Sequence, residues 1–381
     1  MSAGRATAIV GVGYSPIYRE KGIDSRPLAS QAAKDAIADA GLTATEIDGI
    51  FEYPGLPNEI SITMQRMLGI KNLASFGDYA SSGPSGMAAA LGAHMAVASG
   101  ACDVALVYRS ISREWGQQSG QVHFPPAEGP SQYQLPYGVA GAVIPVMGMK
   151  KQRRFAELGG SEEDYGHISV NARKWSALNE RAALRDPITM DDYLSSRFVA
   201  EPLRLLDCDY PITGACAIII TTAERAAGLK QKPVLIDSTS LGTGSRPDWT
   251  FTDDFIFGGT REASDLLWKR SSVTPADVDV AQLYDGFTHI AISWVEALGL
   301  CGIGEFGDWV DGGKTIGPGG SMPMNTTGGQ LAEGRMHGLS FVAEAVLQLR
   351  GQAGARQVPD ANVSVVANAH GPQCGAMVLT T

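Results

Sequence analysis

The stretch "AAKDAIADAGLTATEIDGIFEYPG", Ala32 to Gly55, decides the fold, because its plan returns late in the chain. It reads as an amphipathic helical run, a Gly-Leu-Thr break, an acidic helix start and then an apolar strand. The second version is "ASDLLWKRSSVTPADVDVAQLYDGF", Ala263 to Phe287: helix, Val-Thr-Pro break, "ADVD" against "TEID", and a strand ending at a tyrosine. The helices that come next also correspond, "GMAAALGAHMAVASG" from Gly86 and "GRMHGLSFVAEAVLQLRG" from Gly334. Each is followed by an apolar strand, "DVALVYRS" and "NVSVVANAHG". Two similar halves imply an α/β protein of two βαβ-rich lobes.

The boundaries follow from this duplication. Residues 1–229 form the first lobe and 230–381 the second, with "ACAIIITTAE" (Ala215 to Glu224) closing one and "KPVLIDSTSLGTG" (Lys232 to Gly244) opening the other. A segment at about 112–206 has no counterpart and is an inserted loop domain. Its start, Gln121 to Gly148, is rich in Pro and Gly, and Lys151 to Phe198 is mostly helical, with a helix-start signature in "DPITMDDYL". Insertions of this size form a lid or a substrate-facing subdomain.

Composition narrows the function. The 381 residues are 44% hydrophobic and 18% charged, with 46 glycines, which suits a compact enzyme with many tight turns. A net charge of −10 argues against nucleic acid, and the one dense basic group, "KKQRR" at Lys150 to Arg154, reads as a solvated helix face. Cys102, Cys208, Cys216, Cys301 and Cys374 form no CxxC pair, so they support neither a zinc site nor a disulfide framework, and most read as buried thiols. The start, "MSAGRATAIVGVGYSP", is strand-like without a secretory leader, and no apolar run reaches the ~20 residues of a membrane span, so the expected location is the cytoplasm. "GVGYSP" begins like a dinucleotide fingerprint but lacks the third glycine and continues into a proline.

"YASSGPSGMAAALGAHMAVASG", Tyr79 to Gly100, resembles a stage for a nucleophile. Ser81 to Gly86 make a sharp turn, and small or apolar residues from Met87 to Val97 continue as a close-packing helix. The first N–H groups and the dipole of such a helix stabilise an anion. No reactive side chain stands there.

The duplicated layout, together with "NARKWSALNERAALRDPITMDDYLSSRFVAEPLRLLDCDYPITGACAIII" (Asn171 to Ile220), resembles the thiolase superfamily, in its branch of sterol-carrier-protein-type thiolases and thiolase-like lipid-transfer proteins. The resemblance covers nearly the whole chain. It implies a five-layered αβαβα thiolase fold, two related lobes with a loop domain inserted in the first, a homodimer, and a substrate carried as a coenzyme A thioester with no further cofactor and no metal.

Motif by motif, the resemblance also implies a site. Active members begin the first helix with a nucleophilic cysteine in a Cys-x-x-Gly pattern, and counting back from Gly86 puts Gly83 at that place. Glycine cannot form an acyl-enzyme, and Cys102 lies at the far end of the helix. The second motif, often His-Asp-Cys-Phe or Asn-Glu-Ala-Phe, is here "YDGF", which makes Tyr284 and Asp285 catalytic candidates and resembles the lipid-transfer aldolases of steroid side-chain breakdown. A tyrosine there can act as acid, base or oxyanion donor. The third motif, Gly-His-Pro-x-Gly, corresponds to "EGRMHG", with Arg335 at the histidine place, where those aldolases often have a tyrosine, and His337 two residues on. A cation there favours a Tyr284 phenolate; a structural or CoA-phosphate role is the alternative. Substrate contacts fall to Gly83 and Ser85, and to His370 and Gly371 in the "HGPQCGAM" loop.

The expected activity is retro-aldol cleavage of a β-hydroxyacyl-CoA, such as a steroid side-chain thioester, which needs acid–base groups and enolate stabilisation but no covalent nucleophile. A thiolase-type acyltransferase and a non-catalytic acyl-CoA or lipid-binding subunit are the alternatives. Members of this branch are often paired with a small DUF35-type OB-fold protein, expected here as a separate chain in a heterotetramer. The dimer interface is expected to include the strand after the first helix.

Overall fold

The computed structural model describes residues 5–54, 60–79, 84–114, 128–129, 131–134, 136, 143–246, 250 and 252–381. The first half runs β1 (Thr7–Tyr14), α1 (Ser25–Asp39), β2 (Gly49–Tyr53), α2 (Ser61–Leu68), β3 (Ser75–Asp78), α3 (Ser85–Ser99) and β4 (Val104–Ile111). After it come α4 (Val143–Leu158), α5 (Glu162–Ala177) and a small ribbon of β5 (Phe198–Ala200) and β6 (Leu203–Arg204). Strand β7 (Gly214–Thr222) then returns to the sheet. The second half contains β8 (Val234–Thr243), α6 (Thr260–Arg270), β9 (Val280–Leu283), α7 (Thr288–Ala297), α8 (Leu339–Leu349), β10 (Val363–Asn368) and β11 (Gln373–Thr380).

The strands form one sheet in the order β3-β2-β4-β7-β1-β8-β11-β10-β9, and the order exposes the duplication. From the centre outward each half repeats one plan. The innermost strand pairs antiparallel with the chain's returning strand, that strand with the next, and the last pair is parallel. Between the halves, among the described residues, only Ala8 with Leu235 and Ile9 with Val234 are in register. Helices α3 and α8 touch each other and strands of both halves, so they form a middle layer between two half-sheets. Ala89, Ala90 and Ala93 of α3 and Phe341, Val342 and Val346 of α8 are completely buried there.

The outer helices dock by the same device in both halves. A Cβ on Gly13 of β1 would lie 2.1 Å from the Ala32 carbonyl of α1, and one on Gly242 of β8 would lie 2.5 Å from the Ala263 nitrogen of α6. The glycines of "GVGYSP" therefore serve helix packing. Helix, half-sheet, helices, half-sheet, helix is the five-layered αβαβα thiolase arrangement.

Three expectations change. Helix α3 begins at Ser85, so Ser85 and Gly86 belong to its first turn, and Gly83 lies outside the described residues, as does most of Gln121 to Gly148. Strand β4 is buried along its whole length between β2 and β7 and cannot be an interface edge; the outer strand of that half is β3, where Phe76 is 61% exposed. "KKQRR" is not a solvated face. Lys150, Lys151 and Arg154 are buried, and only Gln152 and Arg153 face outward. Lys151 is paired with Asp207 at 3.0 Å and Glu162 at 3.1 Å, Arg154 with Glu296, and Lys150 donates to the Phe255 carbonyl at 2.8 Å. A net-charge count cannot show that a basic run carries its own counter-ions from distant segments.

Candidate functional site

Strand β9 stops at Leu283, and the Tyr284 N–H donates to the Ala367 carbonyl at 3.0 Å, which anchors the tyrosine against β10. The chain then doubles back. A Cβ on Gly286 would lie 2.7 to 2.9 Å from the Tyr284 ring and hydroxyl, so the third residue of "YDGF" is a glycine because the phenol folds over it. The segment returning from the insertion lies across this turn: Asp209 N–H donates to the Gly286 carbonyl at 3.1 Å, and Cys208 bridges to Phe287.

The "EGRMHG" motif closes on the same segment from the other side. Arg335 N–H donates to the Tyr210 carbonyl at 3.0 Å, and its guanidinium faces the Asp209 carboxylate at 3.5 Å. Gln330 knits the motifs together. Its N–H donates to Asp285 Oδ1 at 2.8 Å and its side-chain oxygen accepts from the His337 N–H at 3.1 Å. Asp285 is completely buried, its Oδ2 has no hydrogen-bond partner among the described residues, and a Cβ on Gly329, at φ +59°, would fall 2.0 Å from that oxygen.

His337 adopts φ +53° and directs Nδ1 at Arg109 Nη2, 2.9 Å away. Arginine only donates, so Nδ1 accepts and the proton sits on Nε2. Arg109, on β4, also donates to the Tyr53 carbonyl at 2.8 Å and lies 3.8 Å over the Tyr53 ring. Tyr53 ends β2 as Tyr284 follows β9, so the two halves bring equivalent tyrosines toward one centre. Helix α3 reaches it as well: Ser85 is completely buried, and a Cβ on Gly86 would lie 2.7 Å from the His337 carbonyl.

Burial dominates the electrostatics. It pushes the Tyr284 phenol well above its ordinary range; Asp209 adds to that rise and Arg335 opposes it. The guanidinium therefore acts in the expected direction, but paired with Asp209 it does not make a phenolate, and Tyr284 stays protonated at neutral pH. Burial raises Asp209 to about 6 against the pull of Arg335, and raises Asp285 to about 7. Burial first, then Arg109 and Arg335, hold His337 neutral.

Tyr284, Asp285, Arg335, His337 and Ser85 thus meet around one centre, and Gly83 precedes α3 outside the described residues. His370 and Gly371 make their contacts elsewhere, His370 Nε2 with the Ile256 carbonyl at 2.7 Å and Gly371 through its carbonyl with Gly259 N–H at 2.8 Å. Cys374 beside them is buried and pushed up to about 12. Sequence reasoning missed Asp209, Arg109 and Tyr53. The available signals were an arginine inside the apolar run "DVALVYRS" and the tyrosine of "FEYPG" opposite that of "QLYDGF". A cavity of about 320 Å³ opens onto Asp209 from the insertion side, lined also by Arg173, Leu206, Cys208, Tyr210 and Leu331. Among the described residues no group of His, Cys, Asp and Glu is arranged to hold a metal ion.

Comparison with known proteins places this geometry. The family description Thiolase C-terminal domain-like matches residues 245–380. The chain is 37% identical to a 17-hydroxy-3-oxo-4-pregnene-20-carboxyl-CoA lyase of Mycobacterium tuberculosis, over 92% of this chain and 93% of that one. It is 32% identical to a steroid side-chain-cleaving aldolase of Thermomonospora curvata, over 98% and 97%. Its fold matches the solved Ltp2-ChsH2(DUF35) aldolase with a TM-score of 0.89 at 31% identity, covering 99% of this chain and 98% of that one. Human mitochondrial 3-ketoacyl-CoA thiolase shares the fold at a TM-score of 0.71 and 14% identity, covering 99% of both chains. The chain belongs to the thiolase superfamily, in its lipid-transfer aldolase branch. It is a carbon–carbon lyase of that branch.

Proposed function

We propose that this lyase cleaves the Cα–Cβ bond of a tertiary β-hydroxyacyl-CoA, a steroid side-chain thioester being the substrate class, with Tyr284 as the proton donor. One observation carries the reading. A protonated phenol stands beside an arginine–aspartate pair at the centre of a thiolase fold whose sequence has Gly83 where an acyl-accepting cysteine would be. When the bond breaks, its electron pair moves to Cα as a thioester enolate. Arg335, and the His337 N–H at Nε2, supply positive potential for the enolate oxygen. The Tyr284 phenol then protonates Cα, giving an acyl-CoA, while the other fragment leaves as a ketone. Asp285 holds Gln330, and through it the backbone of His337, in place.

The thioester arm enters by the cavity of about 320 Å³, with Arg173 and Tyr210 at its wall. Ser85, in the first turn of α3, is assigned to the acyl end, whereas His370 and Gly371 keep their contacts with Ile256 and Gly259 and are not assigned to the path. Coenzyme A comes as part of the substrate, and the reaction calls for no prosthetic group. The solved aldolase matched above, Ltp2-ChsH2(DUF35), supports a separate DUF35-type chain as partner. A homodimer across the β3 edge, where Phe76 is 61% exposed, completes the assembly. No described helix is long and apolar enough to cross a membrane, which fits a cytoplasmic enzyme.

The test incubates the protein, alone and with a co-expressed DUF35 partner, with a tertiary β-hydroxyacyl-CoA. Chromatography with mass detection should find the ketone and the shortened acyl-CoA, and intact-mass spectrometry after acetoacetyl-CoA should find unmodified protein. A stable acyl adduct would return the protein to the acyltransferases. Tight thioester binding without product in either preparation would make it a binding subunit.

A further inference from the structure

Retro-aldol cleavage needs a base for the β-hydroxyl proton, and a phenol that stays protonated cannot be that base. We infer that Asp209, carried by the segment that returns from the insertion, is the residue that takes the β-hydroxyl proton. The inference rests on the lyase reading above.

The geometry supplies a position and an approach. The Asp209 backbone is fixed to Gly286 on one side of the tyrosine turn, and the neighbouring Tyr210 carbonyl is fixed to the Arg335 N–H on the other. Its carboxylate therefore stands between the two motifs rather than in either. It also lines the cavity, with its side chain 10% exposed, whereas Asp285 is completely buried with one oxygen spent on Gln330. The Arg335 contact, at 3.5 Å, is longer than the ~2.7–2.9 Å of a tight charge-assisted hydrogen bond. Such a carboxylate keeps room to accept from a substrate hydroxyl. Around it stand Arg335, Tyr284, Tyr210, Cys208, the buried Asp285 carboxyl, which Asp209 helps to raise, and, across the cavity, Arg173. With a carboxyl near 6, Asp209 is ionised at neutral pH while still basic enough to accept a proton.

The proton balance closes within the site. Asp209 takes the hydroxyl proton, and the O–H electrons become the new carbonyl. The Cα–Cβ pair becomes the enolate, and Tyr284 protonates Cα. Protonated Asp209 then returns its proton to the Tyr284 phenolate, which restores both groups without oxidant or reductant.

The experiment measures kcat/KM against pH for cleavage of a tertiary β-hydroxyacyl-CoA by the co-expressed complex, comparing wild type with Asp209→Asn, Asp209→Glu and Arg335→Met. Asp209→Asn should lose about 10²–10⁴-fold in rate, with KM within a few-fold, and should lose the acidic limb that wild type shows. Asp209→Glu should keep the limb with part of the rate, and it preserves the ion pair if the asparagine variant does not fold. A wild type that cleaves, beside an Asp209→Asn enzyme that keeps its acidic limb and loses no more than Arg335→Met, would reduce Asp209 to a counter-ion. The same reduction follows if Asp209→Glu alone folds and runs without the limb. Wild-type silence with and without the partner overturns the lyase reading, and this inference with it.

Discussion

Asp207 and Asp209 are two residues apart on one segment, and the protein treats them oppositely. The Asp207 carboxylate is completely buried and fully occupied: Lys151 at 3.0 Å, the Tyr193 hydroxyl at 2.7 Å, the Thr288 hydroxyl at 2.5 Å and the Arg204 N–H at 2.7 Å. Among the described residues Asp209 has a single ion pair, at 3.5 Å, and a cavity in front of it. The first ties three parts of the chain together, namely α4, the insertion's last helical turn and α7. The second is held in place by its backbone, which leaves its side chain for chemistry. Identical residue type and near-identical sequence position therefore say nothing about role; the number of donors already committed to each oxygen does.

Substitutions can break this contrast. The largest effect is expected at the reactive end, where Tyr284→Phe removes one oxygen and should lower turnover by about 10²–10⁴-fold while thioester binding, followed by calorimetry, stays within a few-fold. At the structural end, Asp207→Ala leaves Lys151 buried without its main partner and should cost about 3–5 kcal/mol in urea unfolding. A loss below 1 kcal/mol would mean that the network carries no stability. Between the two lies Gly286→Ala, which pushes the phenol off its seat. Misplacement on the scale of an ångström costs up to about 10²-fold in kcat, with a smaller stability loss than Asp207→Ala.

Two smaller effects concern protons. Arg335 holds both Asp209 and Tyr284 below where burial alone would put them. Arg335→Met should move the acidic limb of kcat/KM upward by about 1–3 pH units. An unmoved limb would detach the guanidinium from the base. Asp285 titrates near 7 in the folded protein, above its ordinary value, so the folded state holds that proton more tightly than the unfolded chain. Its contribution to stability is full below pH ~4 and is lost as pH rises toward 7. Asp285→Asn should flatten that fall, read from unfolding midpoints across the window.

The halves, the insertion and the tyrosine motif were legible because duplication and periodicity are written in consecutive residues. Tyr284, Asp285, Arg335 and His337 were legible through motif register. Asp209, Arg109 and Tyr53 were not, because each gains its meaning from a partner on a distant segment. "KKQRR" misled for the same reason: Asp207 and Glu296 lie far along the chain and Glu162 starts the next helix, and a helix face of cations looks solvated until these counter-ions are found. The stage at Tyr79 to Gly100 was read correctly as a close-packing helix, but its first turn starts at Ser85, inside the span assigned to a turn.

The seam between the half-sheets, two residue pairs wide, has a consequence for ancestry. Tyr53 and Arg109 come from the first half, Tyr284, Arg335 and His337 from the second, so neither half alone assembles the constellation. A half-length progenitor with this plan could have had such a centre only where two copies met, at the mercy of their concentration. In a single chain that encounter is intramolecular, equivalent to roughly millimolar local concentration. The two halves differ at the centre, one tyrosine lying beneath an arginine and the other facing the segment that returns from the insertion, which one half alone carries.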